Sequence, residues 1–206
     1  MTGEEVLVVP TGTANLASVQ AGLRRVGADP RLSRDAAELR GARRVVLPGV
    51  GTLSAAMATL REDGLVQALA ERVRQGAPTL AICLGLQLLC EDSEESPGEA
   101  GLGVVGGTVS RFPDGLKVPQ LGWNRIEPDP ACRLLRPAHV YFANSYRLPA
   151  APSGWDAARA DYGGPFVAAL ERGAVLACQF HPELSGPEGL ALLRRWLDSA
   201  DGGASC

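Results

Sequence analysis

Two short runs of the chain have the residue types and spacing that thiol-based acyl transfer requires. In QFHPEL, His181 and Glu183 flank a proline, and an extended HPE segment would place both side chains on one side. The carboxylate could then fix the imidazole tautomer and stabilise its protonated form. In AICLGLQ, Cys83 lies two residues before Gly85 at a predicted strand-to-helix turn. Together these residues predict a cysteine nucleophile served by a histidine and an orienting acid.

The context of Cys83 is that of a nucleophile. A sulfur at a helix N-terminus is held out of the core, where the helix dipole favours the thiolate. Gly85 permits the backbone crowding of such an elbow. The backbone N–H of Leu84 would supply one oxyanion donor, and the PGVG loop, with Gly49 and Gly51, would supply a second. The alternative for Cys83 is a buried small hydrophobe, the usual environment of a free cysteine.

The other cysteines and histidines are weaker candidates for this chemistry. Cys178 is three residues before His181, an odd offset that separates two side chains on a strand by roughly 10 Å on opposite faces. A strand-end His181 bonded to nearby backbone is the alternative to a base. His139 has no acid beside it, which favours packing or the surface. The remaining cysteines are assigned to packing, loop or tail positions: Cys90, Cys132 and Cys206.

Strands and helices alternate in the first half of the chain, which predicts a parallel sheet covered on both faces. The predicted elements there are strands in 4–9 and 43–51, helices in 14–27 and 65–76, and strand, turn and helix in 78–92. In the second half, 96–107 is loop-rich, and three strand-like runs follow in 140–149, 166–173 and 174–180. The last two predict a hairpin around Arg172 and Gly173, and Ser185 with Glu188 predicts a capping box for the last helix.

The predicted fold class is therefore α/β, an open twisted mixed sheet, mostly parallel, flanked by helices, with an antiparallel portion in the C-terminal half. We expect residues 1–206 to form a single domain, with about 201–206 as a frayed tail. Hydrophobic residues make up 46% and charged residues 21%, typical of a soluble globular protein.

Composition also argues against several classes of function. The formal net charge of −3 favours neither nucleic acid nor an anionic membrane surface. Five cysteines without a CxxC pair suit neither a zinc site nor a disulfide framework, so no metal or cofactor is expected. The sequence shows no signal peptide and no apolar run of membrane-spanning length, which predicts a cytoplasmic protein without a membrane partner.

The motifs PGVG, ICLGLQ and QFHPE resemble those of class I (triad) glutamine amidotransferases. KVPQLGWN (117–124) and YFANSY (141–146) narrow the resemblance to the glutaminase subunits of imidazole glycerol phosphate synthase, from histidine biosynthesis. The resemblance extends from the first strand to the last helix. It implies that Cys83 attacks the side-chain amide of glutamine, that His181 shuttles protons and that Glu183 orients His181.

The resemblance further implies a heterodimer with a cyclase subunit, a (β/α)₈ barrel. Ammonia would pass through the barrel core to a nucleotide substrate, giving imidazole glycerol phosphate and aminoimidazole carboxamide ribotide. Carried over by position, the backbone oxyanion donors would be Val50 and Leu84. The glutamine pocket would comprise Gly49, Gly51, Gln87, Ser145 and Tyr146. The partner interface and ammonia gate would comprise Gln120, Trp123, Asn124, Tyr141 and Leu184.

This chain departs from the family pattern in segments that the resemblance places against the cyclase. PTGTANL (10–16) stands where the family often has DYG.GNL. Gln120 and Asn144 stand where histidine is usual, and Leu184 stands where lysine is usual. The three triad residues are intact, so we expect hydrolysis to be retained and the chemistry of the interface to differ. Leu184 would pack on an apolar patch of a matched partner.

Four alternative functions fit the sequence less well. A glutaminase subunit of another synthase, such as that of pyridoxal phosphate, lacks the GWN and YF..SY features. A γ-glutamyl hydrolase would need a secretory route, for which the sequence gives no sign. A silent regulatory partner with the same fold would not need Cys83, His181 and Glu183 together. A DJ-1-like thiol protein would share the cysteine elbow but would not need HPE.

Overall fold

The computed structural model describes residues 3–12 and 15–199. The helices in this part of the chain are α1 (Leu16–Arg25), α2 (Ala36–Gly41), α3 (Leu53–Glu62), α4 (Val66–Arg74), α5 (Leu84–Leu89) and α6 (Gly186–Ser199). The strands are β1 (Glu4–Val8), β2 (Ala28–Leu32), β3 (Val45–Gly49), β4 (Thr79–Cys83), β5 (Asp92–Ser93), β6 (Thr108–Arg111), β7 (Gln120–Pro128), β8 (Ala138–Asn144), β9 (Tyr146–Arg147), β10 (Asp156–Asp161), β11 (Pro165–Arg172) and β12 (Val175–Cys178). The predicted tail at 201–206 lies outside the described residues.

The main sheet is mixed, as predicted. Among the described residues it contains nine strands in the order β2-β1-β3-β4-β12-β11-β10-β7-β8. From β2 to β12 the neighbours are parallel, whereas from β12 to β8 they are antiparallel. The predicted hairpin is confirmed, since Arg172 pairs with Val175 across the turn between β11 and β12. A smaller sheet has the order β5-β6-β9.

The central strands are buried on both faces, which explains their unbroken apolar sequences. On β3, Val45 and Leu47 belong to one apolar cluster and Val46 belongs to a second. On β4, Ala81 joins the first cluster and Ile82 joins the second. Because side chains alternate along a strand, the two clusters lie on opposite faces of the sheet, where the helices cover them. Within the described segments, no helix is both long enough and apolar enough to span a membrane.

The turn between β4 and α5 is as sharp as the sequence predicts. Cys83 has a φ of 55°, a left-handed conformation that is uncommon for a residue other than glycine. Gly85 fits where no other residue would, because an added Cβ would lie 2.0 Å from the backbone oxygen of Leu47. This close approach packs the start of α5 against β3 and fixes the direction in which the chain leaves Cys83.

The segment after β12 differs from two expectations. The prediction of an extended HPE segment is wrong beyond His181, since Pro182–Leu184 form a single 3₁₀ turn. The predicted capping role of Ser185 is also wrong. Its buried hydroxyl donates to the carbonyl oxygen of His181 at 2.6 Å and accepts from the N–H of Tyr141 at 2.9 Å. The hydroxyl therefore ties the turn to β8.

Candidate functional site

A cavity of about 300 Å³ opens at the C-terminal end of β4. Cys83 lies at the end of this strand, His181 follows β12 beside it, and both side chains face the cavity. Ligands of open α/β sheets bind at this end of the parallel strands. The residues that line the cavity are Val50, Gly51, Cys83, Leu84, Gln87, Glu95, Pro119, Ala143, Asn144, Ser145, Tyr146 and His181.

Cys83 and His181 border the same cavity, and His181 is hydrogen-bonded to Glu183. Nδ1 of His181 is 2.9 Å from Oε1 of Glu183, and the side chain of Cys83 is close enough to the imidazole to raise its pKa. The 3₁₀ turn brings Glu183 back to the ring, as an extended strand would not. With Nδ1 directed at the carboxylate, the other ring nitrogen is left for the sulfur.

The charge of His181 follows from these contacts. Burial lowers the pKa of His181, but the hydrogen bonds and the charges of Cys83 and Glu183 outweigh burial and raise that pKa to about 10. The imidazole is therefore protonated at neutral pH. An imidazolium beside a sulfur stabilises the thiolate, which is the attacking form of a cysteine.

Gln179 is a further polar residue at the sulfur, and sequence reasoning missed it. It is fully buried, and its Nε2 is 3.8 Å from Sγ of Cys83. Its Oε1 accepts from Nε2 of Gln87 at 3.0 Å, which fixes the orientation of the Gln179 amide. The signal available in the sequence was a glutamine within the otherwise apolar run ACQF. The side chain therefore supplies a buried, neutral donor to the sulfur.

The backbone of His181 is held as firmly as its ring. Its N–H donates to the carbonyl oxygen of Tyr141 at 2.9 Å, and its carbonyl oxygen accepts from Ser185. Gly189 allows α6 to pack on the 3₁₀ turn, because a Cβ there would lie 2.0 Å from the carbonyl oxygen of Pro182. The imidazole is thus positioned by β8, by the turn and by α6 together.

The residues expected around the oxyanion are divided between two places. Leu84 begins α5 directly after Cys83, and Val50 and Gly51 line the cavity from the loop after β3. Gly51 has a φ of 86°, a conformation that glycine adopts without strain. Gly49 instead ends β3 and does not line the cavity. A Cβ on Gly49 would be 3.0 Å from Cβ of Leu84, so Gly49 makes room for the elbow.

The cavity is also lined by the other residues expected to bind substrate and by one residue that was not expected. Gln87, Ser145 and Tyr146 line the cavity, as does Glu95. Burial raises the pKa of Glu95, and a hydrogen bond from the backbone of Leu53 lowers it in part. Glu95 belongs to the acidic run EDSEE, and nothing in that run distinguishes Glu95 as the residue that lines the cavity.

The other cysteines within residues 15–199 are in environments that do not favour reactivity, and Cys206 lies outside the described residues. Cys178 is fully buried, and burial raises the pKa of its thiol well above the ordinary value. Burial also raises the pKa of Cys90 to about 12 and that of Cys132 to about 11. His139 is exposed on β8. Across residues 3–12 and 15–199, no group of three His, Cys, Asp or Glu side chains could hold a metal ion.

The residues assigned by resemblance to a partner interface do not share one environment. Trp123 and Leu184 are large apolar side chains that are 58% and 41% exposed. Tyr141 packs edge-on against Trp123, with ring centroids 6.2 Å apart. Gln120 is buried, whereas the amide of Asn124 donates to the carbonyl oxygen of Asp161 at 2.8 Å. Leu121, which was not singled out, is 63% exposed on the same strand as Trp123.

Comparison with known proteins gives one family and a set of close relatives. The family model "Glutamine amidotransferase class-I" matches residues 13–200. The imidazole glycerol phosphate synthase subunit HisH of Symbiobacterium thermophilum is 40% identical over 195 residues, which cover 93% of this chain and 92% of that protein. HisH of Escherichia coli K12 is 41% identical over 198 residues, covering 94% of this chain and 98% of that protein.

Solved structures agree on the fold. A structure described as a glutamine amidotransferase superposes with a TM-score of 0.76 at 24% identity, covering 95% of this chain and 98% of that chain. The structure of PurLQS from Thermotoga maritima gives a TM-score of 0.73 at 16% identity, with 95% and 98% covered.

Proposed function

The chain belongs to the class-I glutamine amidotransferases and, within them, to the family of imidazole glycerol phosphate synthase subunit HisH, and from this premise we propose that it is the glutaminase subunit of such a synthase. The observation that carries the proposal is that Cys83, at a strained elbow, and His181, hydrogen-bonded to Glu183, face one cavity of about 300 Å³. The subunit would hydrolyse glutamine to glutamate and ammonia, and the synthase would use the ammonia in histidine biosynthesis.

The first half of the reaction is acylation of Cys83. The thiolate attacks the side-chain amide carbon of glutamine, and the carbonyl electrons move onto oxygen. His181 then donates its proton to the amide nitrogen, the C–N bond breaks, and ammonia leaves a γ-glutamyl thioester. His181 is suited to this step because its pKa, raised to about 10, keeps it protonated until the leaving group needs the proton.

The second half is hydrolysis of the thioester. His181, now neutral, takes a proton from water as the water oxygen attacks the thioester carbon. Collapse of that intermediate breaks the C–S bond, releases glutamate and returns the sulfur to the imidazolium. Glu183 is a positioning residue throughout, since its carboxylate at 2.9 Å from Nδ1 fixes the tautomer and stabilises the charged ring.

The cavity wall supplies recognition and stabilisation of charge. Backbone N–H groups of Leu84 and of the Val50–Gly51 loop would donate to the oxyanion, a contribution worth about 2.7–4 kcal/mol per donor in acyl transfer. Glu95 is the carboxylate in the cavity that suits the α-ammonium group of glutamine. Gln87, Ser145 and Tyr146 would line the remainder of the substrate.

An exposed apolar patch beside the site supports a partner subunit. The patch consists of Leu121, Trp123 and Leu184, which are 63%, 58% and 41% exposed. Trp123 lies close over the start of α6, where a Cβ on Gly186 would be 3.6 Å from its ring. Clustered exposed apolar side chains mark interaction sites, and aromatic anchors are enriched in them. We propose that the cyclase subunit, a (β/α)₈ barrel, covers this patch in a heterodimer.

The test is a glutaminase assay on the subunit alone and with the cyclase encoded by the same genome. We expect slow release of glutamate by the subunit alone and marked stimulation by the cyclase with its nucleotide ligand, because loop residues Val50 and Gly51 can complete the oxyanion hole on assembly. Equal turnover in both conditions would contradict coupling. Absence of glutamate release in both would contradict the glutaminase assignment.

A further inference from the structure

An unbroken series of hydrogen bonds runs from the lining of the cavity to the sulfur of Cys83. Nε2 of Gln87, on α5, donates to the carbonyl oxygen of Tyr146 at 3.4 Å and to Oε1 of Gln179 at 3.0 Å. Nε2 of Gln179 in turn donates to Sγ of Cys83 at 3.8 Å. Gln87 and Tyr146 line the cavity, whereas Gln179 is fully buried and is not one of the lining residues. The series therefore reaches the nucleophile through a residue that does not border the space the substrate would occupy.

These contacts leave one orientation for each amide. The carbonyl of Tyr146 can only accept, so the Gln87 atom that faces it is the nitrogen. That nitrogen requires the oxygen of Gln179 beside it, which turns the Gln179 nitrogen toward the sulfur. A reversed Gln179 amide would set two N–H groups against each other. The sulfur of Cys83 is therefore always presented with a donor.

The surroundings of Gln179 would suit an apolar residue. Its neighbours in the sequence, Cys178 and Phe180, are fully buried, and its backbone N–H donates to the carbonyl oxygen of Ala168 at 2.8 Å. A buried amide is tolerated only when both of its ends are hydrogen-bonded. Without Gln179, the amide of Gln87 would still have the carbonyl of Tyr146 and would still face the cavity. The contact that depends on Gln179 alone is the one to the sulfur.

A neutral donor complements the imidazolium of His181. Hydrogen bonds to an ionised acceptor are about twice as strong as those between neutral groups, so the contact from Gln179 gains most when the sulfur is a thiolate. His181 gives its proton to the leaving nitrogen during acylation, whereas an amide N–H keeps its proton. Gln179 therefore remains a donor through both halves of the reaction, including the step in which the thiolate leaves the thioester carbon.

We propose that Gln87 and Gln179 form a relay through which the substrate-binding wall of the cavity positions and stabilises the attacking sulfur of Cys83. Gln179 contacts the sulfur directly, and Gln87 is a positioning residue that acts on Cys83 by fixing the amide of Gln179. The proposal rests on the function proposed above, and it gives Gln87 a second role besides lining the glutamine pocket. Because Gln179 does not border the cavity, its loss should slow attack and leave the affinity for glutamine unchanged.

The experiment measures the rate at which iodoacetamide alkylates Cys83 at pH 7 in the full chain, with the modified cysteine identified by peptide mass spectrometry. The variants are Gln179→Met, Gln87→Met and both together. Gln67→Met is the matched control, since Gln67 is exposed on α4 and donates to Glu71. For Gln179→Met we expect alkylation to slow by about 10- to 100-fold, the equivalent of one hydrogen bond to a charged group. Gln87→Met should slow alkylation when Gln179 is present and have no further effect when it is absent.

Turnover in the complete synthase gives a second readout. In Gln179→Met, kcat for glutamate release should fall by a similar factor while KM for glutamine stays at the wild-type value. Synthesis from added ammonium should also stay at the wild-type rate, because that reaction does not use Cys83. A change in packing alone would not separate kcat from KM in this way.

Two results would overturn the proposal. One is alkylation of Cys83 in Gln179→Met that is as fast as in Gln67→Met. The other is an effect of Gln87→Met that is equal with and without Gln179, which would mean that Gln87 controls entry of the probe. Thermal unfolding checks the fold of each variant. If Gln179→Met does not fold, Gln87→Met decides, since unchanged alkylation in that variant would also overturn the relay. A wild-type complex that releases no glutamate would contradict the proposed function and leave the alkylation result standing.

Discussion

Replacement of Gly85 by alanine tests the elbow that presents Cys83. The new Cβ would lie 2.0 Å from the backbone oxygen of Leu47 and 3.1 Å from its carbonyl carbon. Cβ atoms do not approach backbone this closely, and the obstacle is a strand of the core, not the end of a flexible side chain. β3 and α5 must therefore separate by about an ångström, because side chains cannot relieve the contact.

The expected cost of Gly85→Ala is at the upper end of the range for overpacking, about 3 kcal/mol. For a chain of this length that corresponds to a fall in Tm of roughly 6–12 °C. Displacement of the nucleophile by this amount should also lower kcat/KM for glutamine by about 100-fold. Gly41→Ala is the matched control, since no atom lies within 4 Å of its added Cβ and the residue ends α2. An unchanged Tm and full glutaminase activity in Gly85→Ala would refute the reasoning.

Three further predictions concern the groups around the triad. Gln179→Leu removes the donor 3.8 Å from the sulfur of Cys83, so kcat for glutamate release in the complex should fall by roughly 10–100-fold. A wild-type kcat would show that this contact does not contribute to catalysis. Ser185→Ala removes two buried hydrogen bonds, so urea unfolding should show a loss of about 1–3 kcal/mol, and no loss would contradict the tie to β8. The pKa of His181, raised to about 10, exceeds that of the unfolded chain, so its contribution to stability is complete below about pH 6.5 and is lost as pH rises through 10. NMR titration can follow the protonation of His181, because the chain has only one other histidine, His139. If the His181 ring loses its proton near pH 6.5, the prediction is wrong.

The triad could be predicted from the sequence because its parts lie in short motifs with strong local geometry. A glycine two residues after Cys83 indicates an elbow, and a histidine two residues before an acid indicates an oriented imidazole. The prediction that the backbone between His181 and Glu183 is extended is wrong, because this segment enters a 3₁₀ turn. Proline at the first position of a helical turn is compatible with either conformation, and the packing of α6 through Gly189 selects the turn.

Other parts depended on tertiary structure. Strand β10, with the sequence DAARAD, has no apolar alternation and little intrinsic strand preference. It is a strand because β11 and β7 pair with it on both sides. In the same way, Gln179 and Glu95 could be assigned to the site only from the folded structure, in which Gln179 lies 3.8 Å from the sulfur of Cys83 and Glu95 lines the cavity. The parallel half of the sheet was easier to predict, since burial on both faces leaves an uninterrupted apolar run.

The most direct test of the central claim is Cys83→Ala assayed in the complex with its cyclase. If Cys83 carries the acyl group, synthesis from glutamine should fall by about 10³-fold or more. Synthesis from added ammonium should remain at the wild-type rate, because the partner and the assembly are intact. Glutamate release that survives the substitution would contradict the assignment of Cys83 as the nucleophile.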